Sequence, residues 1–244
     1  MINALLPLKN LSAAKTRLAS VFSPSDRRGL MRAMAEDVLG VISSHPGLDR
    51  VWLVSDDLGA EVLAERYLVH HVSERILGCC GLNTVLEAAC ERVVASPEDR
   101  ILVLHADLPW LTRADIDVAL AIHSETGGLL LAPDRGLKGT NLMVFQAENR
   151  PPFCFGENSN QRYQQWAQNE NLACTNLQCK GTASDVDLPV DVAELLTSSD
   201  VGGATLAWLN QVGLRGRPKR AETSQRSCHA APTSIARKRV HANE

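Results

Sequence analysis

Apolar segments of strand length alternate with amphipathic segments of helix length from residue 2 to about residue 197, and this alternation constrains the fold before any single residue is weighed. Residues 2–8, 51–55, 67–72, 101–106, 129–132 and 141–145 read as strands, and a further strand is expected before Asp185. Between them, residues 26–41, a short segment ending at Arg66, and residues 82–95, 112–124 and 159–169 read as helices, as does the stretch after Pro189. In the first of these Leu30, Met34, Val38 and Val41 recur at helical spacing, and Ser23-Pro24 supplies a start signal. The pattern predicts an α/β domain built on a mainly parallel sheet with helices on both faces. Ligands of such sheets lie beyond the carboxyl ends of the strands, so chemistry is expected just after strands, in the polar clusters around Lys9, Asp107, Asp134 and Asp185.

Composition bounds the class of protein. With 45% hydrophobic and 22% charged residues the chain can bury a core, which excludes wholesale disorder. No apolar run approaches the roughly 20 residues of a membrane-spanning helix, and the first residues lack a basic leader, so a cytoplasmic protein without a membrane partner is expected. The cysteines Cys79, Cys80, Cys90, Cys154, Cys174, Cys179 and Cys228 are odd in number and lack metal-ligand spacing, which favours reduced thiols. Residues 213–244 carry a net charge of +6 against −9 for the rest of the chain. We therefore expect one domain over residues 1–212, followed by a basic, solvated and disordered tail over residues 213–244. Contact of that tail with nucleic acid is disfavoured, because it lacks aromatic residues and hydrophobic periodicity.

Several strand ends carry residues suited to phosphate chemistry. Lys9, Lys15 and Arg17 set three cations in the loop after the first strand, a charge pattern that suits a polyphosphate; the competing reading is a solvated basic loop. Asp107 follows the most apolar strand and precedes Leu108-Pro109, a rigid position for a magnesium ligand or, alternatively, for a turn aspartate. In Asp185-Val186-Asp187 the alternation of an extended chain turns both carboxylates to one side, although Asp187 is also placed to cap the helix after Pro189. Gly139-Thr140-Asn141, and Gly156 with Ser159 at the start of a helix, offer amides and hydroxyls to an anion or serve as turn and cap. The seven histidines show no ligand spacing and receive no role, and no serine or cysteine stands in a recognisable nucleophile system.

In this order, Leu6-Pro7-Leu8-Lys9, Ala14-Lys15-Thr16-Arg17-Leu18, Gly81-Leu82-Asn83, Ala106-Asp107-Leu108-Pro109, Ala132-Pro133-Asp134-Arg135, Gly139-Thr140-Asn141, Phe155-Gly156 with Ser159, and Asp185-Val186-Asp187-Leu188-Pro189 resemble one family. It is that of the guanylyltransferases of coenzyme F420 biosynthesis known as CofC or FbiD, and the resemblance spans about residues 2–197. It implies a nucleotidyltransferase fold of the glycosyltransferase-A type, Mg2+ dependence and release of pyrophosphate. It further implies transfer from GTP to a phosphorylated three-carbon acid, with phosphoenolpyruvate or 3-phospho-D-glycerate ahead of 2-phospho-L-lactate. Carried over by position, Thr140, Gly156 and Ser159 would bind the acid, and Asp107 with Asp185 or Asp187 would hold metal. Lys9, Lys15 and Arg17 would hold the triphosphate, and Asn83 would meet the guanine or ribose.

His105 and Tyr163 depart from the family pattern, the former where a small residue or proline is frequent and the latter where a histidine often stands. The next enzyme of F420 biosynthesis is the expected partner, and a homodimer is compatible with the sequence. The attacking phosphate oxygen would already be anionic, which matches the absence of a general base. Competing readings are another nucleotidyltransferase of the same fold and a non-catalytic nucleotide-binding protein with a nucleic-acid-binding tail.

Overall fold

The computed structural model describes residues 1–9, 11 and 15–213 of the 244-residue chain, so the expectation of a solvated tail falls almost wholly outside the described residues. Seven strands are formed by β1 (Ile2–Pro7), β2 (Arg50–Val54), β3 (His70–Val72), β4 (Arg100–Leu104), β5 (Leu129–Pro133), β6 (Thr140–Gln146) and β7 (Cys174–Asn176). Among the described residues nine α-helices accompany them: α1 (Pro24–Ile42), α2 (Ala60–Tyr67), α3 (Glu74–Leu77), α4 (Leu82–Val93), α5 (Arg113–Thr126), α6 (Ser159–Asn169), α7 (Lys180–Ala183), α8 (Pro189–Thr197) and α9 (Gly203–Gln211).

The strands form one sheet in the order β3-β2-β1-β4-β6-β5-β7. All neighbours are parallel except β6, which runs antiparallel to both β4 and β5. The connection from β5 to β6 is too short for a crossover, which forces the reversal.

Alternation along β4 distributes the core between the two faces. Leu102 and Leu104 join Leu30, Met34 and Val38 of α1, Ile116 of α5 and Leu195 of α8. Ile101 and Val103 join Val85 and Leu86 of α4 and Tyr163 of α6. Each fully buried leucine or valine on this two-sided sheet contributes about 1.5–3 kcal/mol relative to exposure.

Local signals fix the helix starts near the site. Ser23 caps α1 and Thr112 caps α5, in both cases through a reciprocal box with an aspartate at the third helical position. Two expectations change in detail. The chain immediately before Asp185 is the helical turn α7, and the last strand lies earlier, at the sheet edge; within that turn a Cβ on Gly181 would collide with Asp115 and the Trp110 carbonyl. The helix α9 was not apparent in the sequence, because its first amides, those of Ala204 and Thr205, are capped by the Asp37 carboxylate of α1 from 167 and 168 residues away.

Candidate active site

The carboxyl ends of β1 and β4 open onto a cleft of about 750 Å³, lined by Lys9, Lys15, Thr16 and Arg17 from the segment after β1, by Leu82, Phe155 and Gly156, and by His105, Asp107 and Asp187. Asp107 leaves the end of β4, and the amide of Val186 reaches back to its carbonyl at 3.3 Å, which brings the Asp185–Asp187 segment beside it. Asp107, Asp185 and Asp187 each offer one oxygen, and the three atoms lie within 4.8 Å of one another.

Lys15 closes this group from the opposite side. Its ammonium donates to Asp107 Oδ2 and, at 2.5 Å, to Asp187 Oδ1, and its side chain is only 6% exposed. Burial alone would lower its pKa, but Asp107 and Asp187 outweigh burial and hold the ammonium charged beyond the ordinary lysine range. Lys15 also takes a left-handed backbone conformation, φ 53°, which is costly for a residue with a Cβ and typical of functional positions. Arg17 stands farther out, 72% exposed, with Nη1 3.7 Å from Asp187 Oδ2; Lys9 is exposed.

The acidic group suits a hard divalent cation. Asp107 Oδ1 is buried and has no hydrogen-bond partner among the described residues, so one lone-pair set faces the cluster unsatisfied. Burial raises Asp185 to about 6, with Asp107 adding to the rise and the Asn141 amide opposing it. For Asp107, burial pushes upward but the Lys15 charge prevails and keeps the carboxyl below the usual range. A cluster in which one lysine leaves excess negative charge uncompensated has the electrostatics of a metal site. The helix-cap reading of Asp187 is displaced: Leu188 holds the cap position of α8, and Asp191 in the first turn accepts from the amides of Leu188 and Asp187.

The acid-binding candidates assemble in two layers. Gly156, at φ 123°, lines the cleft, in a conformation that residues with a Cβ rarely adopt. Thr140 and Ser159 are buried behind it, hydroxyl to hydroxyl at 3.0 Å. The Ser159 and Asn160 amides at the start of α6 donate to the carbonyls of Gly156 and Lys138 rather than standing free for an anion. Asn83 takes a supporting position: its amide oxygen accepts from Phe155 N at 2.8 Å and its amide nitrogen donates to Phe155 O at 3.2 Å. In this structure Asn83 thus clamps the Phe155-Gly156 loop. Tyr163 is fully buried, accepts a hydrogen bond from Cys154 N and packs edge-on against Phe155, again supporting that loop from behind. Asp134 closes its own turn by accepting from the amides of Lys138 and Gly139, and a Cβ on Gly139 would lie 2.7 Å from that carboxylate.

Two residues enter the site to which the sequence assigned no individual role in it. Asn141, at the start of β6, donates to Asp185 Oδ1 at 3.2 Å and to the Thr182 carbonyl at 3.0 Å, which orients the acidic segment. Its place beside Thr140 in an antiparallel strand was the available signal. His105 faces the cleft wall with its ring 5.1 Å from that of Phe155. Burial holds its imidazole below the ordinary histidine pKa, against the pull of Asp107.

The family described as "Guanylyl transferase CofC like" matches residues 2–230. A phosphoenolpyruvate guanylyltransferase of Sphaerobacter thermophilus is 34% identical over 83% of this chain and 96% of its own. A 3-phospho-D-glycerate guanylyltransferase of Phenylobacterium zucineum is 32% identical over 80% and 89%, and a 2-phospho-L-lactate guanylyltransferase of Methanothermobacter thermautotrophicus is 28% identical over 89% and 93%. Among solved structures, glucosyl-3-phosphoglycerate synthase of Mycobacterium tuberculosis, in complex with Mg2+ and uridine diphosphate, superposes with a TM-score of 0.56 at 14% identity, covering 79% of this chain and 74% of its own. A cytidylyltransferase of Leptospira borgpetersenii gives 0.53 at 11% identity, covering 87% and 94%; both likenesses concern the fold.

Proposed function

Because this chain belongs to the CofC-like guanylyl transferases, we propose that it transfers the guanylyl group of GTP to a phosphorylated three-carbon acid in the making of coenzyme F420 or a variant of it. Phosphoenolpyruvate and 3-phospho-D-glycerate stand ahead of 2-phospho-L-lactate as acceptors. The observation that carries the reading is the meeting of Asp107, Asp185 and Asp187 under Lys15 in one open cleft beyond the strand ends, with the Phe155-Gly156 loop opposite.

In this reading the phosphate oxygen of the acid attacks the α-phosphorus of GTP, the bond to the β-phosphate oxygen breaks, and pyrophosphate departs. Lys9, Lys15 and Arg17 hold the triphosphate and neutralise charge as it grows on the leaving group. Mg2+, held by Asp107 with Asp185 and Asp187, would screen the repulsion between the two anions. Gly156, backed by Thr140 and Ser159, receives the acid, while Asn83 fixes the loop and Asn141 aims Asp185. Alignment and charge compensation suffice, since the nucleophile needs no proton removed. Residues 1–212 form the catalytic unit in this proposal, acting in the cytoplasm and passing a labile product to the next enzyme of the route; no described helix is long and apolar enough to cross a membrane.

The test is pyrophosphate release from GTP and Mg2+ with each acid separately, coupled to the next F420 enzyme so that a labile product is captured. Turnover with one acid names the acceptor. Absence of release with all three, in folded protein that binds GTP, would overturn the assignment.

A further inference from the structure

We infer that His105 is a substrate-binding residue that grips the carboxylate of the phosphorylated acid and thereby helps to select it, an inference resting on the guanylyl-transfer reading above. The imidazole follows the end of β4, two residues before Asp107, and lines the same cleft as Asp107, Phe155 and Gly156. Its Nε2 is buried and has no hydrogen-bond partner among the described residues. A buried polar atom left unsatisfied is costly, and such atoms are kept where a ligand completes them.

The ring is held in place rather than free to turn outward. Its own backbone amide donates to the Asn141 carbonyl at 2.9 Å, extending the β4–β6 ladder, and one face packs on Phe155. Asn141 is in turn next to Thr140. His105 thus lies between the acidic cluster and the loop that carries Gly156.

The carboxylate is the group it would meet. The phosphate of the acid is the nucleophile and must lie against the acidic cluster and the cations of the Lys9, Lys15, Arg17 wall. The second anion of the acid then points away from that wall, toward Phe155 and Gly156. Among the described residues lining the cleft, the other side chains that carry a polar hydrogen are Lys9, Lys15, Thr16 and Arg17, all from the segment after β1, which leaves His105 as the side chain able to meet that carboxylate. Phosphoenolpyruvate and 2-phospho-L-lactate carry phosphate on the carbon next to the carboxylate, whereas 3-phospho-D-glycerate carries it one carbon farther away. A donor fixed relative to Asp107 therefore selects acids by the separation of their two charged ends.

Two substitutions separate this role from packing. His105→Phe keeps a ring against Phe155 and removes Nε2–H; His105→Gln keeps an N–H donor at similar reach. We expect His105→Phe to raise KM for the preferred acid about tenfold or more, with KM for GTP within about twofold, and His105→Gln to recover most of the loss. Calorimetric titration of the acid into protein holding a non-hydrolysable GTP analogue should show the same ranking in Kd, and the 15N resonance of Nε2 should move when the acid is added to the wild-type protein. Unchanged KM and Kd for the acid in His105→Phe would overturn the proposal while leaving guanylyl transfer intact. If wild-type protein turns over none of the three acids, the functional reading falls; a static Nε2 resonance on titration with phosphoenolpyruvate would then take the His105 assignment down with it. Should His105→Phe fail to fold, the wild-type resonance and His105→Gln decide the matter.

Discussion

Asp185→Asn is expected to stabilise the metal-free protein at neutral pH and to change it little in acid. Burial first, and Asp107 second, raise this carboxyl from 3.8 to about 6 in the folded chain. In the unfolded chain it titrates at the ordinary value, so above pH 6 folding must confine a charge that the buried site disfavours. At about 1.4 kcal/mol per pH unit, the difference amounts to at most about 3 kcal/mol, a ceiling because the three carboxylates titrate together. Since the raised folded pKa makes the native form the better proton binder, the cost is absent below pH 3.8, grows between pH 4 and 6 and is complete above it. The amide variant retains an oxygen for Asn141 to donate to and carries no charge. Its gain should therefore approach about 3 kcal/mol at pH 8, equivalent to roughly 6–12 °C in Tm for a domain of this size, and shrink below about 1 kcal/mol at pH 4. Urea unfolding in chelator at both pH values measures this directly. Adding Mg2+ should invert the order at pH 8 by stabilising the wild type alone. A gain equal at the two pH values, or a loss at pH 8, would refute the view that Asp185 is a charge held against its preference for a cation.

Three further outcomes follow from the same geometry. Lys15→Met removes the cation that shares Asp107 and Asp187; calorimetry without nucleotide should find Mg2+ bound several-fold more tightly, while pyrophosphate release from GTP falls by a factor of about 100 or more. Asn141→Ala strands the Thr182 carbonyl and frees Asp185, and should cost about 1–3 kcal/mol in urea unfolding together with weaker Mg2+ binding. Asp37→Ala uncaps α9 at Ala204 and Thr205; a loss of about 1–2 kcal/mol is expected, with hydrogen exchange accelerating in α9 before the sheet.

The sequence made legible whatever depends on neighbours in the chain. Strand and helix periods, the helix start at Ser23-Pro24 and the acidic strand end at Asp107 are all local, and the structure places them as expected. The resemblance paired Asp107 with Asp185 or Asp187, and the structure brings all three together. Illegible features depend on partners remote in sequence. The cap on α9 comes from α1, the two bonds of Asn83 end on Phe155, and the ion pairs of Lys15 join residues 92 and 172 positions away. Asp134 shows a local use of the same residue type: a carboxylate after a strand also suits a tight turn, and here it accepts from the amides four and five residues on.

The reversed strand β6 bears on how the enzyme comes into being. β4 lies beside β6, and β5 lies on the far side of it, so the centre of the sheet has a gap one strand wide until residues 140–146 have left the ribosome. β1 and β4 can associate early, with Ile101 and Val103 half covered, but β5 has no edge to join before β6 arrives. Thr140 and Asn141 lead that late strand, and Asp185 can be oriented only after they are laid down. Synthesis thus delivers Lys9, Lys15 and Arg17 first and Thr140, Gly156 and Ser159 last, so a chain interrupted near residue 135 carries half of a cleft and an open sheet edge, which marks it for aggregation or proteolysis rather than for partial activity.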